Sequence, residues 1–370
     1  MKRCIFHYPE PVLENASVGS AIRPNRMLRS FQNLGYQVDE VTGYSWDRSK
    51  KLKKVKKNIL NGIKYDFVYS ENINSPLLLA DKDHLPRHPF MDCRFLKFCR
   101  NNGIPVGLFY RDIYWGFPEI FNESTTPMKR AILIPAFRHD LVHYEQGIDL
   151  LYLPTDAMRK YVNMEKQYKT LPPAGDINSE SLTIKKNRPA RSNGTLKIIF
   201  VGSVSTVTDI GMLIRAVYET EGVELTICTH EDQWNQRKHL YQQDLCDRIQ
   251  IIHKSGSELK EYYDRADVAA LCFKKNAYED MSMPIKTFEA ISYGTPILTT
   301  NIDSVAQLVE ENRIGWVADS SVDSISKTLN FLKEHPEEIK DKTNNTIEAA
   351  YRNSWEDRAR QVAEDLTNLK

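Results

Sequence analysis

Several familiar catalytic signals are absent from this 370-residue chain. Neither G-x-G-x-x-G nor G-x-x-x-x-G-K-[ST] follows a predicted first strand, which argues against a dehydrogenase or an ATPase. H-E-x-x-H and G-x-S-x-G are also missing, so nothing indicates a zinc protease or a serine hydrolase. No run of 18 apolar residues occurs, and the first residues do not resemble a signal peptide.

The six cysteines form no C-x-x-C pair, and several fall within predicted strands or helices. This usage is typical of buried thiols in a reducing compartment, and not of a disulfide framework or a metal centre. We therefore expect a cytoplasmic protein.

Charge is unevenly distributed, although the net charge is only +1. Residues 1–170 carry 26 Lys and Arg against 18 Asp and Glu, a balance of +8, whereas residues 171–370 carry 24 against 31, a balance of −7. Either two solvated surfaces differ by chance, or the first half meets an anionic partner.

Short apolar segments rich in β-branched and aromatic residues alternate with helix-length segments along the whole chain. This alternation predicts an α/β fold with two doubly wound parallel sheets. The predicted strands are 3–8, 37–42, 67–71, 106–111 and 149–154 in the first half, and 197–203, 223–229, 249–254, 268–273, 296–300 and 315–319 in the second. A helix is expected to begin near Pro24 and to stop at Gly35. The polar segment 171–195 is predicted to be a linker.

The most informative segment is SMPIKTFEAISYGTPILTTN, residues 282–301. Ser282 and Pro284 are predicted to start a helix, whose free N–H groups and dipole favour an anion such as a diphosphate. Lys286 falls in the first turn, and Glu289 lies three residues on, on roughly the same face. A carboxylate there can accept both hydroxyls of a ribose. The alternative is an ordinary surface Lys–Glu pair.

Residues 197–320 resemble the donor half of glycosyltransferase family 4, on the strength of this segment, of FVGSVSTVTDIGMLIRAV and of SELKEYYDRADVAALCF. The resemblance implies the GT-B fold, with two Rossmann-like domains facing a central cleft. It also implies retaining chemistry that needs no metal ion or other cofactor. The implied domains are 1–170 for the acceptor and 196–345 for the nucleotide-sugar donor, with 346–370 returning as a helix to the first domain.

The resemblance implies that Glu289 binds the donor ribose and that Lys286 contacts its phosphates. The other donor-side residues of this pattern are Gly202, Ser203, Ser282, Pro284 and Thr287. The family's first carboxylate would fall at Met281, whereas this chain has Glu279 and Asp280 one or two places earlier. Either a shifted loop delivers one of these two candidate catalytic carboxylates to the sugar, or the contact is lost. The loop 202–209, often basic in the family, has no basic residue here, so Lys274, Lys275 or an arginine of the first domain would have to substitute.

In the first domain, Arg111 and Asp112 follow a predicted strand at a position that the family places near the reacting sugar. They are candidate catalytic residues, the alternative being a salt bridge or helix cap. Gly19, Ser20 and His7 are candidates for the acceptor side, the alternative for His7 being a structural histidine.

Residues 48–63 combine seven basic residues within ten positions with Leu52, Val55, Ile59 and Leu60. On a helix these apolar residues fall near one face, the pattern of a helix that lies on an anionic membrane. The alternative is a solvated basic helix packed on its own sheet; nucleic-acid binding has no accompanying motif.

We therefore expect a retaining glycosyltransferase that moves a sugar from a nucleotide-sugar donor to a glycan or lipid-linked acceptor, in polysaccharide or glycoconjugate synthesis. It would be cytoplasmic or peripheral on the inner membrane face. Two alternatives stay open: a catalytically silent homologue that partners an active transferase, and a nucleotide-sugar epimerase on the same fold.

Overall fold

The computed structural model describes residues 2–14, 19–190 and 194–369; for Gly19, Ser20 and Ser124 it describes the backbone alone. The chain forms two compact units. Unit 1 comprises Met1–Pro172 and Trp355–Lys370, and unit 2 comprises Pro173–Ser354. Among the described helices, none combines the length and the apolar character needed to cross a bilayer.

Unit 1 contains a six-stranded parallel sheet in the order β2-β1-β3-β4-β5-β6. Every residue of β3, β4 and β5 is buried, as expected for strands covered on both faces. The strands are β1 (Arg3–Tyr8), β2 (Gln37–Thr42), β3 (Phe67–Glu71), β4 (Val106–Phe109), β5 (Leu150–Leu153) and β6 (Tyr168–Thr170).

The first five helices belong to unit 1. They are α1 (Gly19–Asn33), α2 (Ser45–Leu60), α3 (Met91–Asn101), α4 (Pro118–Ser124) and α5 (Pro127–Gly147). Helix α2 packs on β2, and α3 packs against α5. Right-handed crossovers between parallel strands place α2, α3 and α5 on one face of the sheet and α1 on the other.

Unit 2 repeats the architecture with the strand order β12-β11-β10-β7-β8-β9. Its strands are β7 (Leu196–Val201), β8 (Val223–Cys228), β9 (Ile249–Ile252), β10 (Val268–Leu271), β11 (Ile297–Thr300) and β12 (Gly315–Ala318). Its helices are α6 (Ser179–Asn187), α7 (Gly211–Glu219), α8 (Glu231–Arg237), α9 (Lys260–Arg265), α10 (Ala277–Met281), α11 (Ile285–Ser292), α12 (Asp303–Asn312), α13 (Val322–Glu334) and α14 (Pro336–Tyr351).

The last helix, α15 (Trp355–Thr367), belongs to unit 1, where it packs on α1, β3 and β4. Its inner face is apolar and fully buried at Ala359, Val362 and Leu366. The chain passes from unit 2 to unit 1 after Ser354, and not at residue 346. Helix α14, which precedes this passage, packs on α11 of unit 2.

The predicted linker at 171–195 is wrong in large part, because α6 occupies its middle. The side chain of Asn178 caps α6 by accepting a hydrogen bond from the backbone N–H of Ser181. Leu182 and Lys185 are buried, and Leu182 joins the core of unit 2. The segment has many polar residues, so its sequence did not indicate this short helix, which is stabilised mainly by its packing and its cap.

Two further expectations need correction in unit 1. Helix α1 begins at Gly19 and not near Pro24, which lies inside it. The short strand β6 was not predicted; it has three residues, none of them buried, so it lacks an apolar pattern. Its parallel pairing with β5 makes it part of the sheet.

Candidate functional site

The strand order of unit 2 reverses between β7 and β10, which lie side by side. In open α/β sheets, such a switch point leaves a crevice at the carboxyl ends of the strands, where ligands bind. The chain segments that leave these ends are the loop beginning at Gly202 and the segment that leads through α10 to α11. Both were singled out in the sequence.

Helix α11 begins at Ile285, directly after Pro284, whose backbone is extended. Ser282 does not cap α11, contrary to expectation, because its hydroxyl donates to the backbone oxygen and to Oε2 of Glu279, 3.2 and 3.1 Å away. The first turn of α11 contains no acidic residue. Its N-terminus therefore has the partial positive charge that attracts an anion.

Lys286 and Glu289 lie next to each other on one face of α11, as predicted. The Lys286 Nζ is 2.5 Å from Oε2 of Glu289, and the two side chains are 27% and 23% exposed. The other carboxylate oxygen of Glu289, Oε1, is buried without a hydrogen-bond partner among the described residues. The Tyr263 phenol interacts with this carboxylate, and a ligand hydroxyl can donate to it as well.

The surroundings of Glu289 are aromatic. Tyr263 is buried and stacks on Tyr293, with ring centres 4.6 Å apart. Burial, and secondly the Glu289 carboxylate, raise the pKa of Tyr263 well above its usual value. The Tyr263 phenol therefore stays neutral at physiological pH. It can take part in hydrogen bonds but cannot act as an anion.

Thr287 and the loop after β7 differ in their exposure to solvent. Thr287 is fully buried, so the prediction that it contacts the donor is wrong: its position on α11 faces the core. The Gly202 N–H donates to the Cys228 carbonyl at 3.0 Å, which joins the ends of β7 and β8, and Ser203 beside it is exposed. The loop that begins at Gly202 leads into α7.

Sequence reasoning missed three residues at this edge. Arg237 of α8 donates from Nη1 to Oγ1 of Thr206 at 3.1 Å, so it brings a cation to the loop that has no basic residue. Nδ1 of His253, after β9, lies 2.8 Å from the Thr229 carbonyl, and the Thr229 hydroxyl is buried without a partner among described residues. No sequence signal marks them, because separate strands bring them together.

The two carboxylates before α11 are already engaged. Glu279 is 3% exposed and accepts the Ser282 hydroxyl. Asp280 accepts the Asp303 backbone N–H at 3.2 Å and lies 3.6 Å from the Lys275 ammonium. Of the two alternatives, loss of this contact therefore fits the burial of Glu279 better, and Met281 is buried too.

In unit 1, Arg111 and Asp112 follow β4. The Arg111 guanidinium lies 3.2 Å from the fully buried Glu71, and its backbone N–H donates to Asn72 Oδ1 at 2.7 Å. This is the salt bridge considered as the alternative for Arg111, whose side chain is only 9% exposed. Asp112 is partly exposed and accepts the Tyr114 backbone N–H at 3.0 Å.

His7 is fully buried, so it does not face an acceptor, contrary to one of the two expectations. Its Nδ1 lies 2.8 Å from Ser70 Oγ and its Nε2 lies 2.9 Å from Asp92 Oδ1. Arg48 binds the same carboxylate through Nε and Nη2 at 2.6 and 2.9 Å. The coulombic attraction of Arg48 and the His7 hydrogen bond outweigh burial and hold the pKa of Asp92 well below its usual range.

Gly19 and Ser20 form the first residues of α1, and their side chains lie outside the described part of the chain. Within that part, no group of three or more His, Cys, Asp and Glu side chains is placed to hold a metal ion.

Comparison with known proteins agrees with this geometry. The family model described as glycosyl transferases group 1 matches residues 183–353. The amylovoran biosynthesis glycosyltransferase AmsK of Erwinia amylovora is 29% identical over 130 residues, which are 33% of this chain and 32% of AmsK. The match thus spans about a third of that relative's length.

Solved structures are similar over the full chain. The sucrose-phosphate synthase of Thermosynechococcus elongatus has a TM-score of 0.68 at 14% identity, covering 100% of this chain and 99% of that one. Anabaena HepE in complex with UDP has a TM-score of 0.66 at 13% identity, covering 100% of both chains. At such identities the likeness shows the fold. The chain thus has the two-domain GT-B fold, and its residues 183–353 match the family model of glycosyl transferases group 1.

Proposed function

We propose that this protein is a retaining glycosyltransferase that uses a nucleotide-sugar donor and no metal ion. The observation that carries the proposal is the exposed edge of α11, where Lys286 and a partly unsatisfied Glu289 lie at a helix start beside the β7–β10 switch point. A helix N-terminus with an adjacent lysine suits a diphosphate, and a carboxylate suits the two hydroxyls of a ribose.

The donor would lie with its diphosphate at the start of α11 and its ribose against Glu289. As the bond between sugar and diphosphate breaks, negative charge grows on the leaving group. Lys286 and the N–H groups of the first turn would stabilise that charge, because they are already oriented before the reaction. Arg237 would add a second cation through the loop after β7.

A uridine nucleotide is the best-supported donor. HepE has been solved with UDP and with UDP-glucose on a fold with TM-scores of 0.66 and 0.64 to this chain. AmsK is named for the biosynthesis of amylovoran, so an acceptor of the polysaccharide or glycoconjugate class is proposed here as well.

A thermal-shift screen of UDP, GDP and ADP and of their glucose, galactose and mannose conjugates tests the donor. A ligand bound only by the folded protein raises its free energy of unfolding, by about 2.7 kcal/mol at a hundredfold excess over Kd. The thermal midpoint rises with it. Release of the nucleoside diphosphate, measured with and without EDTA, then tests turnover and metal independence. No shift with any nucleotide would contradict the proposal.

A second candidate is a catalytically silent homologue that partners an active transferase. It is favoured by the engaged carboxylates before α11, since Glu279 is buried and Asp280 is bonded to Lys275 and α12. This protein would bind a nucleotide yet release no nucleoside diphosphate, even with acceptor extracts. An epimerase would instead convert the free nucleotide sugar without any acceptor.

Contact with an anionic membrane through residues 48–63 is part of the proposal, in a revised form. Leu52 and Val55 are buried in unit 1, and Arg48 is paired with Asp92, so these three do not form a membrane face. The exposed face of α2 is basic, with Lys53, Lys54 and Lys57 in solvent. The proposed contact is therefore electrostatic, worth about 1 kcal/mol per lysine near the surface.

A further inference from the structure

A cavity of about 480 Å³ opens at the carboxyl end of β2 in unit 1. Its polar walls come from the end of β2 and from the first two turns of α2, and they include Glu40, Thr42, Asp47, Lys50 and Lys51. Lys51 is held in place, because its Nζ donates to both oxygens of Thr42, at 2.9 and 3.0 Å. Glu40, Asp47 and Lys50 are exposed.

An exposed aromatic side chain stands next to this cavity. Trp46, in the first turn of α2, is 69% exposed, and Tyr44, two residues before it, is 37% exposed. The Lys50 ammonium links the two features, since it lines the cavity and lies 5.3 Å from the centre of the Trp46 ring. An indole offers a large flat apolar surface and one N–H donor, so it can contact a ligand that has both an apolar face and polar groups.

The turn that carries Trp46 is rigidly held by its buried neighbours. Ser45 donates its backbone N–H and its hydroxyl to Asp81, at 2.7 and 2.6 Å. Arg48, 1% exposed, is anchored by two hydrogen bonds to Asp92. Little backbone freedom is left to lose when a ligand stacks on Trp46, and such preorganisation favours binding.

We propose that Trp46 and this cavity form a binding site for a neutral oligosaccharide, the part of the acceptor glycan that lies away from the reacting sugar. The apolar C–H face of a hexose would stack on the indole. Its hydroxyls would donate to the carboxylates of Glu40 and Asp47 and would accept from Lys50. A shallow site with an aromatic surface and a few polar groups suits a ligand with one apolar face and a polar rim.

The location suits an extended acceptor, and in this respect the inference rests on the proposed transferase function. Strands β2 and β4 end at the same edge of the sheet and are separated by β1 and β3. At about 4.8 Å per strand, the ends of β2 and β4 are about 14 Å apart. A glycan with its reacting end near Asp112, after β4, would need several sugar units to reach Trp46.

The alternative occupant of an exposed tryptophan beside lysines is a membrane surface. One feature favours the glycan. The carboxylates of Glu40 and Asp47 line the cavity together with Lys50 and Lys51, so its walls have no excess positive charge to attract anionic lipid headgroups.

The test uses the full-length protein, its Trp46→Ala and Trp46→Phe variants, and Leu60→Ala as a control at the exposed far end of α2. Calorimetric titration measures binding of linear tetrasaccharides of glucose, galactose and mannose and of the monosaccharides. We expect the wild type to bind at least one tetrasaccharide more tightly than its monosaccharide. Trp46→Ala should weaken that binding about tenfold, and Trp46→Phe and Leu60→Ala much less.

Absence of binding to every tetrasaccharide at millimolar concentration would overturn the inference, as would equal losses in Trp46→Ala and Leu60→Ala. Loss of sedimentation with anionic vesicles in Trp46→Ala, with glycan binding intact, would assign the residue to a membrane contact instead. Nucleotide binding and donor turnover are measured in parallel. If these fail in the wild type while glycan binding holds, the transferase proposal fails and the glycan site stands.

Discussion

The Lys286 ammonium lies 2.5 Å from the Glu289 carboxylate, across one turn of α11. Each group thus holds the other in position where the sequence resemblance places the donor. A diphosphate at the helix start would compete for the lysine, and a ribose would use the Glu289 oxygen that has no partner among the described residues. The pair is an ordinary i,i+3 salt bridge and a candidate ligand site at once.

Glu289→Ala should weaken nucleotide binding by about ten- to a hundredfold, because hydrogen bonds to a charged group contribute about 1.5–3 kcal/mol each. Titration calorimetry with the nucleotide identified by the thermal-shift screen measures the loss. Glu310→Ala on α12, an exposed position, is the matched control. Binding within twofold of the wild type in Glu289→Ala would remove this residue from the site.

Lys286→Ala should weaken binding of the nucleoside diphosphate far more than binding of the nucleoside. The reason is that a lysine interacts with the charged phosphates and not with the neutral sugar and base. Raising the salt concentration should reduce the preference of the wild type for the nucleoside diphosphate over the nucleoside. The smaller preference of the variant should stay nearly unchanged. Equal losses for both ligands would indicate that Lys286 acts only by holding Glu289.

Asp112→Asn should reduce the rate of transfer while leaving donor affinity unchanged, if Asp112 contacts the reacting sugar or the acceptor. The asparagine oxygen can still accept the Tyr114 backbone N–H, so the turn after β4 is preserved. Steady-state kinetics with saturating donor separate the two effects. If kcat and KM of this variant equal those of the wild type, Asp112 only stabilises the turn after β4.

Replacing Lys53, Lys54 and Lys57 by Gln should abolish sedimentation with vesicles rich in anionic lipid. Wild-type binding should rise with the anionic fraction and fall with salt, because the contact is electrostatic. The matched control replaces three exposed lysines of unit 2, Lys186, Lys238 and Lys327. A wild type that stays in the supernatant at low salt would contradict the membrane contact.

The buried Lys185 predicts that the stability of the protein depends on pH. Burial together with the nearby Arg188 lowers the pKa of Lys185 to about 7. Between this pKa and that of an unfolded lysine, about 10.4, the unfolded chain binds more protons, so the free energy of unfolding rises with pH across this window. Lys185→Met removes this dependence.

The measurement is the thermal midpoint of the wild type and of Lys185→Met at pH 7 and pH 9. The midpoint of the wild type, relative to that of Lys185→Met, should be higher at pH 9 than at pH 7. The Ala266 carbonyl, which Lys185 binds, also accepts from Arg188, so the variant leaves it with a donor. Lys186→Met, at an exposed position, should follow the wild type; parallel midpoints in all three proteins would refute the prediction.

The sequence by itself determined the elements with strong apolar patterns. Strands β1, β2 and β3 have the bounds that were predicted, because short runs rich in β-branched and aromatic residues between helix-length segments indicate strands. The Lys286–Glu289 face of α11 was predictable for a similar reason, since both residues lie on one short helix whose spacing fixes their distance.

The tertiary structure alone decided which polar residues are available to a ligand. Arg111, His7, Glu279 and Thr287 were all candidates in the sequence, with a structural role as the alternative for Arg111 and His7. Burial, or partners such as Glu71 and Ser70, withdraws them from solvent. The proposed role of Arg237 depends in the same way on a contact with a distant loop. The residues around Trp46 are local in sequence, but their turn is held by the distant Asp81 and Asp92. Local spacing determines which residues share a face, whereas burial and pairing depend on contacts between segments that the sequence does not place side by side.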